Sequence, residues 1–307
     1  MIRAKRHHWW PIAQSTYWTG SNGHVFVTRS NGSVFPANPL NIGVESELYT
    51  RFATDGSKDT EIEEWFGETI DGPATVMIEH LLDAKNVHRS LFSPDPSKAE
   101  TARALGAHVN PYVDKVNLPF EIRVAIARYL AALLVRHPRY LDKLIEFHGN
   151  EQGVNVKNRA LDNMLLLYQK YADGISKSVL MISRRVGDSE YLYADGGLMV
   201  KEPWRTAYNI PFDIHAPLTP DIAMQVLPMP TTVSGADLTH AMIVETTKQG
   251  VARQNRIVLG GAERFVFSRQ IPPVEFIVKH FGKPAPENIG YWIEDGRLKT
   301  VYDPSRR

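Results

Sequence analysis

The 307-residue chain contains no cysteine. Disulfides, thiolate nucleophiles and cysteine-ligated zinc are therefore excluded, and a reducing compartment fits the composition. An excess of one charge is missing too: Lys and Arg number 35, Asp and Glu 34, for a formal net charge of +1. No global field then favours nucleic acid, a membrane surface or an acidic partner. Basic residues come only in short runs, at Arg3, Lys5 and Arg6, at Arg184-Arg185 and at Arg306-Arg307, a pattern typical of solvated surface. Long apolar runs are lacking. The longest apolar helix expected, Phe120 to Val135, is too short to span a bilayer and carries Glu121, Arg123 and Arg128. The basic first residues lead into an aromatic stretch broken by Pro11, not into the apolar run of a signal peptide. A cytoplasmic location and no membrane partner are expected. There is no HExxH pair, and Gly196-Gly197 and Gly260-Gly261 lack the spacing and lysine of a phosphate-binding loop.

What is present is an ordinary globular composition, 43% hydrophobic and 22% charged. Residues 1–50 read as β structure, with a hairpin formed by His24–Thr28 and Ser33–Phe35 about Asn31-Gly32, a pair suited to a type I′ turn. From Lys58 to Lys85 the period becomes helical: Ile62, Phe66 and Ile70 recur every four residues and Ala74, Met77, Ile78, Leu81 and Leu82 continue the stripe. Gly72-Pro73 interrupts it, giving two helices or one kinked helix. Residues 86–117 read as irregular, with a short helix at Ala99–Leu105. A strong helix follows on Phe120, Val124, Ala127, Ala131 and Leu134, a further one at Tyr140–Phe147, and another from Val156 to Ile175. After Gly174 strand-like segments return: "SVLMISRR", "EYLYADGGLMV", "AYNIPFDI", "IAMQVLP" and "RFVFS". Residues 236–257 read as helical, as does Val274–Phe281, and a last hairpin turns at Asp295-Gly296. Strands segregated from helices predict a single α+β domain over 1–307. It has an N-terminal β-hairpin, a central helical block at about 58–175, and a C-terminal antiparallel β region with a packed helix.

The polar candidates start with His7 and His8 in "RHHWWPIAQSTYW". Neighbouring side chains point to opposite faces of a strand, so one ring can face a site while the other anchors the loop. An imidazole among aromatic rings is partly desolvated and neutral, and can serve as a general base or metal ligand. Glu63 and Asp71 lie eight residues apart on the helical block. Asp195 closes an apolar strand beside glycines that permit close backbone approach. Asn255 can orient a substrate or a water, or end a helix.

Several of these pieces together resemble one widespread, mainly bacterial family of domains of unknown function. Its hallmark is an N-terminal Arg-His-His-aromatic-x-Pro motif, present here as Arg6-His7-His8-Trp9-Trp10-Pro11. Its hairpin is similar to "GHVFVTRSNGSVF", its acidic helix to "IEEWFGETIDGPA", and its "PLSP" to Pro217-Leu218-Thr219-Pro220. Of its Ser-Asp-x-Pro signature only Asp195 is present. The resemblance groups His7, His8, Glu63, Asp195 and Asn255, and implies no assigned activity.

Two function classes follow from the residues. One is a hydrolase acting on a phosphodiester or nucleic acid, with His7, His8, Asp195, Glu63 and Asn255 as catalytic candidates. A divalent metal ion is an optional cofactor, and Arg6, Trp10, Arg184 and Arg264 hold the substrate. The alternative is a non-catalytic nucleic-acid- or protein-binding module, in which Trp9, Trp10, Tyr17 and Trp18 stack on bases or form a contact patch. The first class requires an N-terminal imidazole to meet the Asp195 carboxylate.

Overall fold

The computed structural model describes residues 6–91, 112–149, 155–196, 198–200, 214–227, 238–283, 290–294 and 297–301. Strand β1 (Arg6–His8) carries the histidine motif and is followed by the short helix α1 (Ile12–Ser15) and a 3-10 turn at Thr16–Trp18. Next come β2 (Val25–Arg29), β3 (Val34–Ala37), β4 (Val44–Ser46), β5 (Arg51–Phe52) and β6 (Lys58–Asp59). The hairpin stands where the sequence puts it, with Thr28 opposite Val34, but its turn is not type I′. Only Gly32 has positive φ, at 85°, and Gly32 N–H bonds Arg29 C=O at 2.9 Å while Arg29 N–H bonds Ser33 C=O at 3.0 Å. Ser30, Asn31 and Gly32 thus form a three-residue loop with glycine at the left-handed position, the next commonest solution to the strand twist.

Helix α2 (Glu61–Trp65), a π-helical turn (Phe66–Asp71) and α3 (Gly72–Leu82) form one continuous run. The wide turn has a local cause: Pro73 has no N–H to give and its ring would clash with the carbonyl four residues back. The run still buries Ile62, Phe66, Ile70, Ala74, Met77, Ile78 and Leu81. Strands β7 (Val87–Leu91) and β8 (Tyr112–Asn117) then pair antiparallel, inside the stretch read as irregular; the expected helix at Ala99–Leu105 lies outside the described residues. Helix α4 (Phe120–Val135) buries Ala127 and Ala131 of its expected stripe, but Phe120 is 81% exposed and the large buried side chains are Ile122, Ile126, Leu130 and Leu133. Pro138 opens α5 (Pro138–His148), and α6 (Val156–Ser176) packs against α4 and α5.

The later strands are β9 (Val179–Arg185), β10 (Tyr193–Ala194), β11 (Met199–Val200), β12 (Ile214–Pro217), β13 (Ile222–Leu227), β14 (His240–Thr246) and β15 (Phe265–Ser268), then β16 (Gly290–Glu294) and β17 (Arg297–Val301). Between β14 and β15 lies α7 (Lys248–Gly260), and α8 (Val274–His280) follows β15. The helix expected over 236–257 is therefore half strand. β14 lies inside a seven-stranded sheet of order β11-β12-β13-β9-β14-β8-β7, where its pairing with β9 is parallel. Paired on both edges, "HAMIVET" gains more from ladder hydrogen bonds and from burying Ala241 and Ile243 than from its helix propensity. "AYNIPFDI" falls almost wholly outside the described residues. Between β16 and β17 the Asp295-Gly296 turn does too, although Glu294 and Arg297 on either side are paired.

The fold is α+β as expected. A four-stranded sheet of order β10-β15-β2-β3 joins the N-terminal hairpin to segments near residues 193 and 266. The main core runs from Trp9, Trp10 and Trp18 through the helices to the inner face of the larger sheet. No helix among the described residues is long and apolar enough to cross a membrane.

Candidate functional site

The histidine motif is built by backbone pairing. β1 lies antiparallel to β4, with His7 opposite Glu45, and the N–H groups of Trp9 and Trp10 both reach the Gly43 carbonyl. As strand geometry requires, the two histidines part company. His7 is fully buried, its Nδ1 accepts the Tyr49 N–H at 2.9 Å, and its ring stacks on Tyr49. The ring proton therefore sits on Nε2. His8 is half-buried, and its Nε2 lies 3.4 Å from the Leu40 carbonyl. A carbonyl can only accept, so Nε2 carries the proton and Nδ1 the lone pair. Burial holds this imidazole below the ordinary histidine value, with Arg6 and Arg136 adding to the effect.

Glu63, on α2, and Asp71, at the end of the π-helical turn, converge on the main chain of His8, Glu63 directly and Asp71 through Arg136. Glu63 Oε1 accepts the His8 N–H at 3.2 Å. Asp71 binds the Arg136 guanidinium at 2.7 and 3.4 Å, and that guanidinium donates to the His8 carbonyl. Arg136 is 1% exposed and lies over the Phe66 ring at 4.4 Å, a buried charge neutralised by Asp71 and faced by a π-cloud. Its carbonyl in turn accepts the Tyr49 hydroxyl. Burial raises the Glu63 carboxyl above the usual range, despite the nearby Arg136 charge. Glu63 Oε2 and Arg136 Nε have no hydrogen-bond partner.

The adjoining residue links this cluster to the second one. His137 meets the Trp9 ring edge-on at 5.1 Å, its Nδ1 accepts the Arg139 N–H, and its Nε2 donates to the Asp195 carbonyl. The imidazole beside Asp195 is therefore His137 rather than His7 or His8, and it touches the main chain, not the carboxylate. Asp195 is 1% exposed. Its carboxylate accepts the N–H groups of Glu263 and Arg264 at 2.8 to 3.1 Å, with Arg264 Nε 3.6 Å away. Burial outweighs these donors and keeps the carboxyl above its usual range. The close approach allowed by Gly196 is to the chain itself: a Cβ there would stand 1.6 Å from the Gly261 carbonyl oxygen. Asn255 is committed in the same way. Its Oδ1 accepts the Leu192 N–H at 2.9 Å and its Nδ2 donates to the Glu190 carbonyl at 2.8 Å; it sits within α7 and does not cap its end.

The expected substrate-binding residues scatter. Trp10 is fully buried, stacked on Tyr193 at 4.4 Å and against Phe267 and Trp18, with Nε1 bonded to Gln14. It is core, and so are Trp9 and Trp18; none presents a face to a base. Exposed Arg6 bonds Leu40 and Asn41. Arg264 is exposed beside Asp195, and Arg184 lies on β9 opposite Glu245 of β14, in the other sheet. Among the described residues no group of three or more His, Asp or Glu side chains is placed to hold a metal ion. An open surface hollow lined by Thr19, Asn22, Phe26, Arg269 and Gln270 shares no residue with the cluster. Its Arg269 is tied to Glu190 and Asp221.

Arg136 and His137 are the two residues that sequence reasoning missed. Their only signal was position: a cation and an imidazole between an apolar helix and Pro138, where chain reversal brings side chains back over the core. No family model, no curated protein and no solved structure matches the chain.

Proposed function

We propose that this chain is a non-catalytic binding module for a protein partner, held rigid by its histidine motif. One observation carries the reading: His7, Asp195 and Asn255 hold main-chain groups of distant segments, at Tyr49, at Glu263 and Arg264, and at Leu192 and Glu190. Side chains committed in this way are supports, not reagents. The buried tryptophans favour a protein over a nucleic acid, because base stacking needs exposed rings. Apolar side chains do reach solvent elsewhere. Phe147 and Leu166 are 75% and 70% exposed on α5 and α6, neighbouring helices bridged by the His148–Asn163 contact at 3.1 Å. We take these two exposed apolar side chains as the contact residues of this reading. The same proposal takes the module as cytoplasmic and as a relative of the bacterial family that its Arg6–Pro11 motif resembles.

A second reading, hydrolysis of a phosphodiester, draws on the His8 cluster. There a neutral imidazole, a carboxyl with a raised pKa and a buried guanidinium meet, with Glu63 Oε2 and Arg136 Nε unpartnered. The same purified protein separates the two. The binding reading expects no turnover of DNA, RNA or bis(p-nitrophenyl) phosphate with or without Mn²⁺, and protein capture that disappears in a folded Phe147→Asp/Leu166→Asp variant. Turnover that is lost in folded His8→Ala and Glu63→Gln variants establishes hydrolysis and overturns the binding reading.

A further inference from the structure

The outer face of the seven-stranded sheet holds several buried polar side-chain atoms with no hydrogen-bond partner. His215 on β12 is 5% exposed, and neither ring nitrogen makes a hydrogen bond. Opposite it in register on β13 is Gln225, whose Oε1 is buried and unpartnered. The Tyr191 ring is 6.5 Å from the His215 ring, and its buried hydroxyl faces the Ser183 and Thr246 side chains. From above, α7 contributes Gln254. Its Nε2 donates to Ser183 Oγ at 3.0 Å, and its Oε1 is buried without a partner. Ser183 pairs with Ala223 on β13, two residues from Gln225 and so on the same face. Ala223 packs with Tyr191 and Val251 of α7, which places strand, loop and helix around one spot.

Four unpaired polar atoms in one place, both His215 ring nitrogens and the Gln225 and Gln254 amide oxygens, need an explanation. A buried donor or acceptor left unmade is destabilising, and buried polar groups in folded proteins are ordinarily hydrogen-bonded to protein or to something bound. The group belongs neither to the histidine motif nor to the Phe147–Leu166 surface. We propose that His215, Gln225 and Gln254, with the Tyr191 ring beside them, line an internal site for a small uncharged polyol.

The chemistry selects that class. Two amide oxygens can only accept, so the ligand must donate. The imidazole offers one donor and one acceptor. Hydroxyl groups also do both, so they satisfy the set whichever His215 tautomer is present. Ions fit poorly. Burial pushes the His215 pKa down to about 4, so the ring is neutral at pH 7. An anion would then meet two amide oxygens and no cation. An ammonium group would meet no carboxylate within the set. The site stands apart from the binding reading above and does not depend on it.

NMR of the full chain tests this. The His215 Hε1 resonance, assigned by its loss in His215→Phe, is followed during titration with glycerol, erythritol, xylitol and glucose. At least one polyol is expected to shift it saturably, with at least tenfold weaker binding in Gln254→Met and Gln225→Leu. If His215→Phe does not fold, the Tyr191 ring resonances and the Gln254→Met variant carry the same test. Non-saturating shifts, or shifts equal in wild type and Gln254→Met, mean general solvation by an excluded osmolyte and overturn the proposal. A high-resolution crystal soaked in the same polyols that holds only waters on these four atoms overturns it as well.

Discussion

The Arg136 guanidinium shows how one side chain gives a short motif its shape. It is sealed from water, neutralised by Asp71, and bonded to the His8 carbonyl. Replacing Asp71 with Asn keeps the size but leaves the cation uncompensated. The expected loss is about 3 kcal/mol, the low end for breaking a buried pair because Asp71 itself is 21% exposed; urea denaturation measures it. Trp10 acts at the same scale through packing. Trp10→Ala removes a ring stacked on Tyr193 and Phe267 and orphans Gln14 Oε1. It is expected to cost about 3–5 kcal/mol, read as a fall in the urea midpoint. His8 and Glu63 were legible as polar residues of a motif and a helix. Their actual relation, a carboxylate on a peptide N–H, was not, because side-chain type does not say whether a neighbour's ring or its backbone is the partner.

Single polar clamps hold the elements in place. Asp195 fastens the end of β10 to the start of β15, and Asn255 fastens α7 to the segment before β10. Asp195→Ala is expected to speed hydrogen exchange at the Glu263 and Arg264 amides by at least tenfold while amides in α4 and α6 stay protected. Unchanged exchange at 263 and 264 would remove Asp195 from this role. Asn255→Ala leaves the Leu192 N–H and the Glu190 carbonyl without partners, at about 2 kcal/mol, measurable by urea denaturation. The sequence pointed to both residues as special, from the Asp-Gly step that ends a strand and from the asparagine of a helix. Their chemistry reads identically in a catalytic group and in a clamp until the partners are known. Helices α4, α6 and α8 were legible from apolar spacing. β7, β8 and β14 were not, because a short segment becomes a strand only when another strand lies beside it.

For the whole molecule, the buried histidines set the response to acid. The folded chain keeps His215 neutral down to about pH 4, whereas an unfolded chain takes up the proton near 6.5. The stability this group contributes is complete above about pH 6.5 and is lost as pH falls to about 4, roughly 3 kcal/mol in all. His8, also held below its ordinary value, acts in the same direction. Glu63 opposes both: its raised pKa favours the folded state at low pH, and that contribution is lost as pH rises through the raised value. Urea midpoints at about pH 7 and pH 4.5 are expected to fall steeply in the wild type and much less in His215→Leu; equal falls would show that His215 is not the group responsible. What the sequence determined alone is local. Apolar spacing set the main helices, the Asn31-Gly32 step set the hairpin, and the missing cysteines removed a whole branch of chemistry. Tertiary structure decided the rest: which histidine reaches Asp195, that Trp9, Trp10 and Trp18 lie inside, and where His215 is stranded without partners. Those outcomes depend on contacts between residues tens to hundreds of positions apart, and no local pattern encodes which distant group will arrive.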